Sequence, residues 1–252
     1  MKKIIAAILV LVFALAMSGC VYWDGLSKSE AREFVEKTLE EKYGEEFVVK
    51  QMYLKAGSWE TASDLMADCS PKSDENIVFS TQTLAIGKER VMRDAYIQSI
   101  VRSEMLDIVN SVLSEYSIQY VVDVDVQGLY DDYDSGIRSA DDATIKNFTE
   151  ALPDINITDI WIALNDKDNL FHDNVQTIVE KITTDFYYTN ALIHFYYVTD
   201  DVIQRCIDES QNNSPTDRLV FYRILYKHYP CDAFNYKGKE DTLLQIDSAD
   251  EF

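Results

Sequence analysis

Ile118-Gln119-Tyr120-Val121-Val122-Asp123-Val124-Asp125-Val126-Gln127 alternates apolar and polar side chains almost without a break. Ile118, Tyr120, Val122, Val124 and Val126 fall on one side and Gln119, Asp123, Asp125 and Gln127 on the other. That period of two predicts a half-buried strand with one face in a core and one face wet. Immediately before it, Val101, Met105, Ile108 and Val112, flanked by Leu106, Val109, Leu113 and Tyr116, recur at helical spacing. The stretch Lys88 to Tyr116 therefore predicts a helix about 40 Å long at 1.5 Å per residue. A helix followed by a half-covered strand predicts an α+β fold, with mixed or antiparallel sheets whose helices pack mainly on one face.

Upstream, Ser27 and Glu30 have the spacing of a capping box, and Ala31, Phe34, Val35 and Leu39 continue a helix that Gly44 is placed to end. Glu46 to Lys55 reads as a strand, Asp68 to Asn76 as a loop holding Cys69 and Pro71, and Ile77 to Leu84 as a strand. Downstream, Gln127 to Ser139 contains Gly128, Asp131, Asp132, Asp134 and Gly136 and forms the best candidate boundary. A short helix through Ile145 and Phe148, a strand Ile157 to Leu164, a helix Asp173 to Tyr187 and a strand Ala191 to Thr199 follow. A helix capped by Thr199 and a long strand Arg218 to His228 complete the predicted elements. The expected organisation is a first α/β unit over 27–130, a second over 137–230 and an acidic C-terminal tail over 231–252. Each half runs helix, strand, excursion, strand, helix, strand, which suggests two related units, although residue identity between them is too slight to establish a repeat.

Hydrophobic residues make up 47% of the 252-residue chain, so it has the means to build a real core. Its formal charge of −21 repels nucleic acid and anionic head groups; a scattered acidic surface is first a route to solubility, and as a partner surface it suits basic proteins, neutral glycans or divalent cations.

The N-terminus reads as an address. Lys2 and Lys3 supply positive charge, Ile4 to Met17 is an unbroken apolar run, and Ser18-Gly19-Cys20 closes it with small residues. The run is shorter than the ~20 residues of a membrane-spanning helix and matches a signal-peptide core. With Ala16-Met17-Ser18-Gly19-Cys20 the chain resembles bacterial lipoprotein precursors of the Gram-positive type, many of uncharacterised function, Met17 standing where the family usually has Leu. The resemblance implies a signal peptide over 1–19, cleavage before Cys20, and a diacylglyceryl thioether on the Cys20 sulfur, with 20–26 as lipid anchor and tether. Two acyl chains give stable anchoring where one does not. Loss of Lys2 and Lys3 takes the charge from −21 to −23, so lipid would hold the protein where charge cannot.

Reactive motifs are few. Asp123, Asp125, Gln127, Gly128, Asp131 and Asp134 occupy positions one, three, five, six, nine and twelve of an EF-hand-like spacing, yet Tyr130 replaces the usual aliphatic and Asp134 is too short for the bidentate Glu. The segment is better read as an acidic strand end and turn. His172 fits a helix start, His194 lies among Ile193, Phe195 and Tyr196 as a packed or edge histidine, and His228 stands apart; none has metal spacing to another. Cys69, Cys206 and Cys231 allow at most one intrachain disulfide, in three ways. Cys206 reads as packing and Cys69 as a loop residue. The pairs Tyr187-Tyr188 and Tyr196-Tyr197 are strand aromatics with wet hydroxyls before they are a sugar platform. No phosphate-binding loop or nucleophile elbow is present.

The expectation is a lipid-anchored extracytoplasmic protein on the outer face of the cell membrane that binds or scaffolds another envelope component, with no catalysis, cofactor, metal or nucleic acid. A solute-binding lipoprotein of a transporter is the alternative. A carboxylate-based surface hydrolase is a third reading.

Overall fold

The computed structural model describes residues 22–56, 63–126, 135–152, 157–166, 171–184, 190–212, 220–226, 228–229, 231–237 and 242–246. The signal segment with Cys20, the residues Gln127, Gly128, Asp131 and Asp134, and the pair Tyr187-Tyr188 lie outside them.

The fold is α+β, and the chain divides into two units. One comprises residues up to Glu75 with Ser80–Arg93; the other comprises Asn76–Phe79 and the chain from Asp94 onward. The first unit opens with α1, Lys28–Tyr43. Ser27 Oγ accepts from the Glu30 N–H at 3.4 Å while the Ser27 N–H donates to Glu30 Oε2 at 2.8 Å, and Gly44 ends the helix at φ 74. Ala31, Val35, Leu39 and Tyr43 are buried at four-residue steps, so one stripe of α1 faces the sheet.

That sheet has the order β1 (Phe47–Lys55), β2 (Asp64–Pro71), β3 (Phe79–Ile86), β4 (Glu89–Asp94). β1 and β2 are antiparallel, with an irregularity between Val49 and Gln51. A bulge frees backbone groups from the ladder. Here α1 satisfies them: Arg32 donates to the Val49 carbonyl, and the Val49 N–H donates to Glu36 Oε1 at 3.0 Å.

In the second unit, α2 (Tyr96–Leu113) is followed by β5 (Gln119–Val126), α3 (Ile145–Ala151), β6 (Ile157–Asn165), α4 (Val175–Thr184), β7 (Asn190–Tyr197), α5 (Asp200–Asn212), α6 (Val220–Leu225), β8 (Cys231–Lys237) and β9 (Thr242–Ile246). The strands form one sheet in chain order. β6 and β7 are parallel and joined across α4, and the other neighbours are antiparallel. Thr144 Oγ1 caps α3 by accepting from the Asn147 N–H at 3.2 Å, and Glu104 of α2 adds a carboxylate that accepts from the Ile145 N–H at 2.7 Å.

This sheet is buried on both faces. On one, Trp161, Ala163 and Tyr196 pack with Val202, Ile203 and Cys206 of α5 and Phe221, Ile224 and Leu225 of α6. On the other, Phe234 meets Phe195 at 6.0 Å, Phe195 meets Phe171 at 5.3 Å, and Phe171 meets Tyr116 at 5.7 Å, linking the sheet to the ends of α2 and α4.

Five expectations are corrected. The boundary is not at 127–139: β5 pairs with β6 from Gln119↔Asn165 to Val126↔Thr158, which binds the two sides of that acidic segment into one sheet, so the units 27–130 and 137–230 do not stand. The two units are not a repeat, since one is a helix on a sheet of consecutive strands and the other contains a parallel crossover. Lys88 to Tyr116 is not one helix, because β4 occupies Glu89–Asp94 before α2 begins. The expected strand Arg218 to His228 is helical over Val220–Leu225, with Phe221, Ile224 and Leu225 buried at helical spacing in α6. The 231–252 tail is instead β8 and β9 over much of its length, with β8 held to β7 from Asn190↔Lys237 to Tyr196↔Cys231.

Candidate functional site

Two places bear on function. The first is where the described chain begins. The Trp23 N–H donates to the Leu26 carbonyl at 3.1 Å and the Leu26 N–H to the Trp23 carbonyl at 2.7 Å, closing a reversal through Asp24 (φ 43) and Gly25 (φ 82). Trp23 is only 3% exposed. Its indole N–H donates to the Ser63 carbonyl at 2.6 Å, and its ring lies 6.4 Å from that of Phe34. The Arg90 guanidinium stands 5.6 Å from both rings, a cation–π arrangement, while its Nε donates to Asp24 Oδ2 at 2.7 Å and its Nη2 to the Asp24 carbonyl at 2.9 Å. The stretch 20–26 is therefore not a tether as expected, because Trp23 to Leu26 belong to the fold. The sequence signal was Trp23 itself, a large aromatic of a kind that free linkers lack.

The second place is the face of the second sheet that carries Asp123, Asp125, Asp159, Trp161, His194 and Tyr196 in register. His194 Nε2 lies 3.8 Å from Asp159 Oδ1, both side chains being mostly buried. The rings of Trp161 and Tyr196 flank the imidazole at 6.3 Å each, tilted by 23°. His194 is a packed histidine of a central strand, not an edge one. Asp123 is not on a wet face: it is buried, and its Oδ1 accepts from Arg102 Nη2 at 2.6 Å and from the Val124 N–H at 2.9 Å, while Arg102 Nε donates to the Val124 carbonyl at 2.7 Å. The first position of the EF-hand-like spacing is thus neutralised by a guanidinium. Among the described residues, no group of three or more His, Cys, Asp and Glu side chains is arranged to hold a metal ion.

The thiols are placed for packing. Cys69 lies fully buried in β2, paired with Val49, rather than in a loop, because β2 is covered on both faces as far as Pro71. Cys206 and Cys231 adjoin one apolar cluster, and none of the three cysteines forms a disulfide. Burial pushes the Cys206 thiol up to about 11 and the Cys231 thiol up to about 12, away from nucleophilic reactivity near neutral pH. Tyr197, of the expected aromatic pair, donates to Asp232 Oδ2 at 2.6 Å, and burial followed by that carboxylate holds its phenol well above the usual range. His172 stands at the start of a 3₁₀ turn, His172–Asn174, that leads into α4, and the backbone of His228 donates to the Leu225 carbonyl at 3.1 Å. An open depression on α5 is lined by Asp201, Gln204, Arg205, Asp208 and Glu209, all from one helix, and Gln204 donates to Asp208 at 2.8 Å.

No family model and no curated relative matches the chain. The fold has a counterpart. A crystal structure of a DUF5037 family protein from Ruminococcus gnavus ATCC 29149 superposes with a TM-score of 0.60 at 17% identity, over 87% of this chain and 95% of that one. At that identity the likeness is one of fold. No helix among the described residues is long and apolar enough to cross a membrane.

Proposed function

We propose that this is a lipid-anchored extracytoplasmic protein that binds or scaffolds another component of the cell envelope, held on the outer face of the membrane through Cys20, without catalysis. The observation that carries the reading is the clamp on Trp23. A folded body that starts three residues after the acceptor cysteine suits a protein worked at the membrane surface, and covalent lipid is the attachment a chain of net charge −21 needs beside anionic head groups. The state of the polar side chains supports binding over chemistry: Asp123 is matched by Arg102, Asp232 by Tyr197, and burial raises the thiols of Cys206 and Cys231.

Fractionation of cells expressing the full chain and its Cys20→Ala variant tests the anchor. Wild type in the membrane fraction, with a mass addition at Cys20, and the variant released is the expected result; a variant that still partitions wholly with membrane refutes lipid attachment. A thermal-shift panel of sugars, amino acids, peptides and Ca²⁺ tests the role. Stabilisation by a small solute moves the reading to a transporter's binding protein, and turnover of a glycan or peptide refutes the non-catalytic assignment.

A further inference from the structure

The exposed large hydrophobic side chains of the described residues, Tyr53, Leu54, Ile86 and Val91, all belong to the first unit. They also share one end of its sheet. Tyr53 and Leu54 close β1 and pair with Met66 and Leu65 at the start of β2. Gln82 Nε2 donates to Asp64 Oδ2 at 2.8 Å, so the middle of β3 stands beside the start of β2, and Ile86 runs on past it. Gly87, at φ 64, and Lys88 turn the chain back into β4, whose third residue is Val91.

At this end the outer strand β1 and the turn from β3 into β4 lose their cover, while Leu65 and Met66 of β2 stay buried. Tyr53 and Leu54 are consecutive and point to opposite sides, yet both are exposed, and Ile86 is 58% exposed. The exposed apolar side chains thus stand at the outer strands of this end and together make an apolar tip. The Trp23 clamp is at the same end, because its partners are Ser63, just before β2, and Arg90, the second residue of β4. Cys20 is three residues from Trp23 and so at most about 11 Å away along an extended chain. Among the described residues at this end, Lys55, Lys88 and Arg90 are matched in number by Asp24, Asp64 and Glu89, in a chain of net charge −21.

We infer that this tip, Tyr53, Leu54, Ile86 and Val91 with the Trp23 clamp beside them, is a membrane-contact surface that rests in the head-group layer. The inference builds on acylation of Cys20. Its occupant is a lipid surface because the chain leaving Trp23 for Cys20 is too short to hold the tip away from one. Partly exposed apolar side chains flanked by Lys and Arg are what an interface accepts, the apolar atoms entering to about 5–10 Å. The tip fixes orientation, while the lipid supplies the holding energy.

The test uses the full acylated chain in phosphatidylcholine vesicles containing a lipid with a head-group nitroxide. A bimane fluorophore is placed at Ile86→Cys in one sample and at Ser73→Cys in another, Ser73 being exposed just beyond β2 at the opposite end of the same sheet. Cys69 and Cys206 are buried, and Cys231 is partly so. Labelling at neutral pH therefore favours the introduced thiol. The expected result is fluorescence at position 86 lowered about twofold or more and fluorescence at 73 nearly unchanged, since quenching by contact reaches only the depth of the head-group layer. Equal quenching at both positions, or none, in protein that co-floats with vesicles overturns the tip contact and leaves the anchor standing. Wild-type protein that does not co-float overturns the anchor, and the tip inference with it.

Discussion

Replacing Arg102 by Met should destabilise the second unit by about 2 kcal/mol. The Arg102 guanidinium donates to Asp123 Oδ1 at 2.6 Å and to the Val124 carbonyl at 2.7 Å, tying α2 to β5. Hydrogen bonds to charged groups contribute roughly 1.5–3 kcal/mol, and breaking a buried pair costs roughly 3–5 kcal/mol because a charge is left behind. Both figures need discounting here, since Arg102 keeps 34% of its side-chain surface in water and Asp123 12%. Asp123 also retains the Val124 N–H at 2.9 Å. Methionine keeps most of the stem's packing, so the loss reports the charge. Urea unfolding followed by circular dichroism measures it, and a change of that size corresponds to a melting shift of about 4–8 °C in a unit of this length. In an Asp123→Asn background the same replacement should cost about 1 kcal/mol less, because no carboxylate is stranded. A loss below about 0.5 kcal/mol, or one unchanged in the Asn background, would refute the argument that Arg102 neutralises Asp123.

Trp23→Ala removes a fully docked indole and should cost roughly 3 kcal/mol, read as faster amide exchange of residues 22–26 and of β4. Unchanged exchange would mean that the segment is not clamped. Gly44→Ala should cost about 1 kcal/mol, all of it conformational, because φ is 74 and an added Cβ would meet nothing within 4 Å; a neutral result in urea would refute the left-handed cap. Cys206 and Cys231 should react with an aromatic disulfide reagent at pH 8 far more slowly in the native chain than in urea. Their thiols are raised in the fold, so stability is full below the unfolded value near 8.5 and falls as pH rises toward about 11 and 12. Cys231→Ala should flatten that fall in melting scans, and a slope unchanged by the substitution would count against the burial of this thiol.

Local signals in the sequence found what local physics decides. Ser27, Glu30 and Gly44 mark α1 at both ends because capping is a contact between near neighbours, and the alternation from Ile118 to Gln127 marks β5 nearly to the residue. The signals failed where partners are distant. Arg218 to His228 is rich in Val, Phe, Tyr and Ile, and a short apolar run suits either period until α5 and the sheet choose the helical one. β8 was hidden in acidic composition, and its place depends on β7, some forty residues earlier. Asp68 to Pro71 read as loop because Cys-Ser-Pro is turn-like, whereas cover on both faces makes it strand. The tip was illegible for a related reason: Leu54 and Ile86 look like ordinary strand residues, and only the arrangement of four strands shows that their ends stand uncovered. In the second sheet, Arg102 reaches Asp123 across 21 residues, and nothing near Asp123 announces it.

The clamp on Trp23 also sets an order in time. Two of its partners, Ser63 and Arg90, follow it by 40 and 67 residues, so a chain emerging N-terminus first cannot close the clamp until β4 has emerged. Through that interval Trp23 is undocked, and an enzyme acting at Cys20, as proposed above, would meet an unfolded chain. Afterwards Trp23 is pinned against a folded sheet. The proposed acylation of Cys20 would in that sense compete with folding, since only three residues separate its site from the residue that docks.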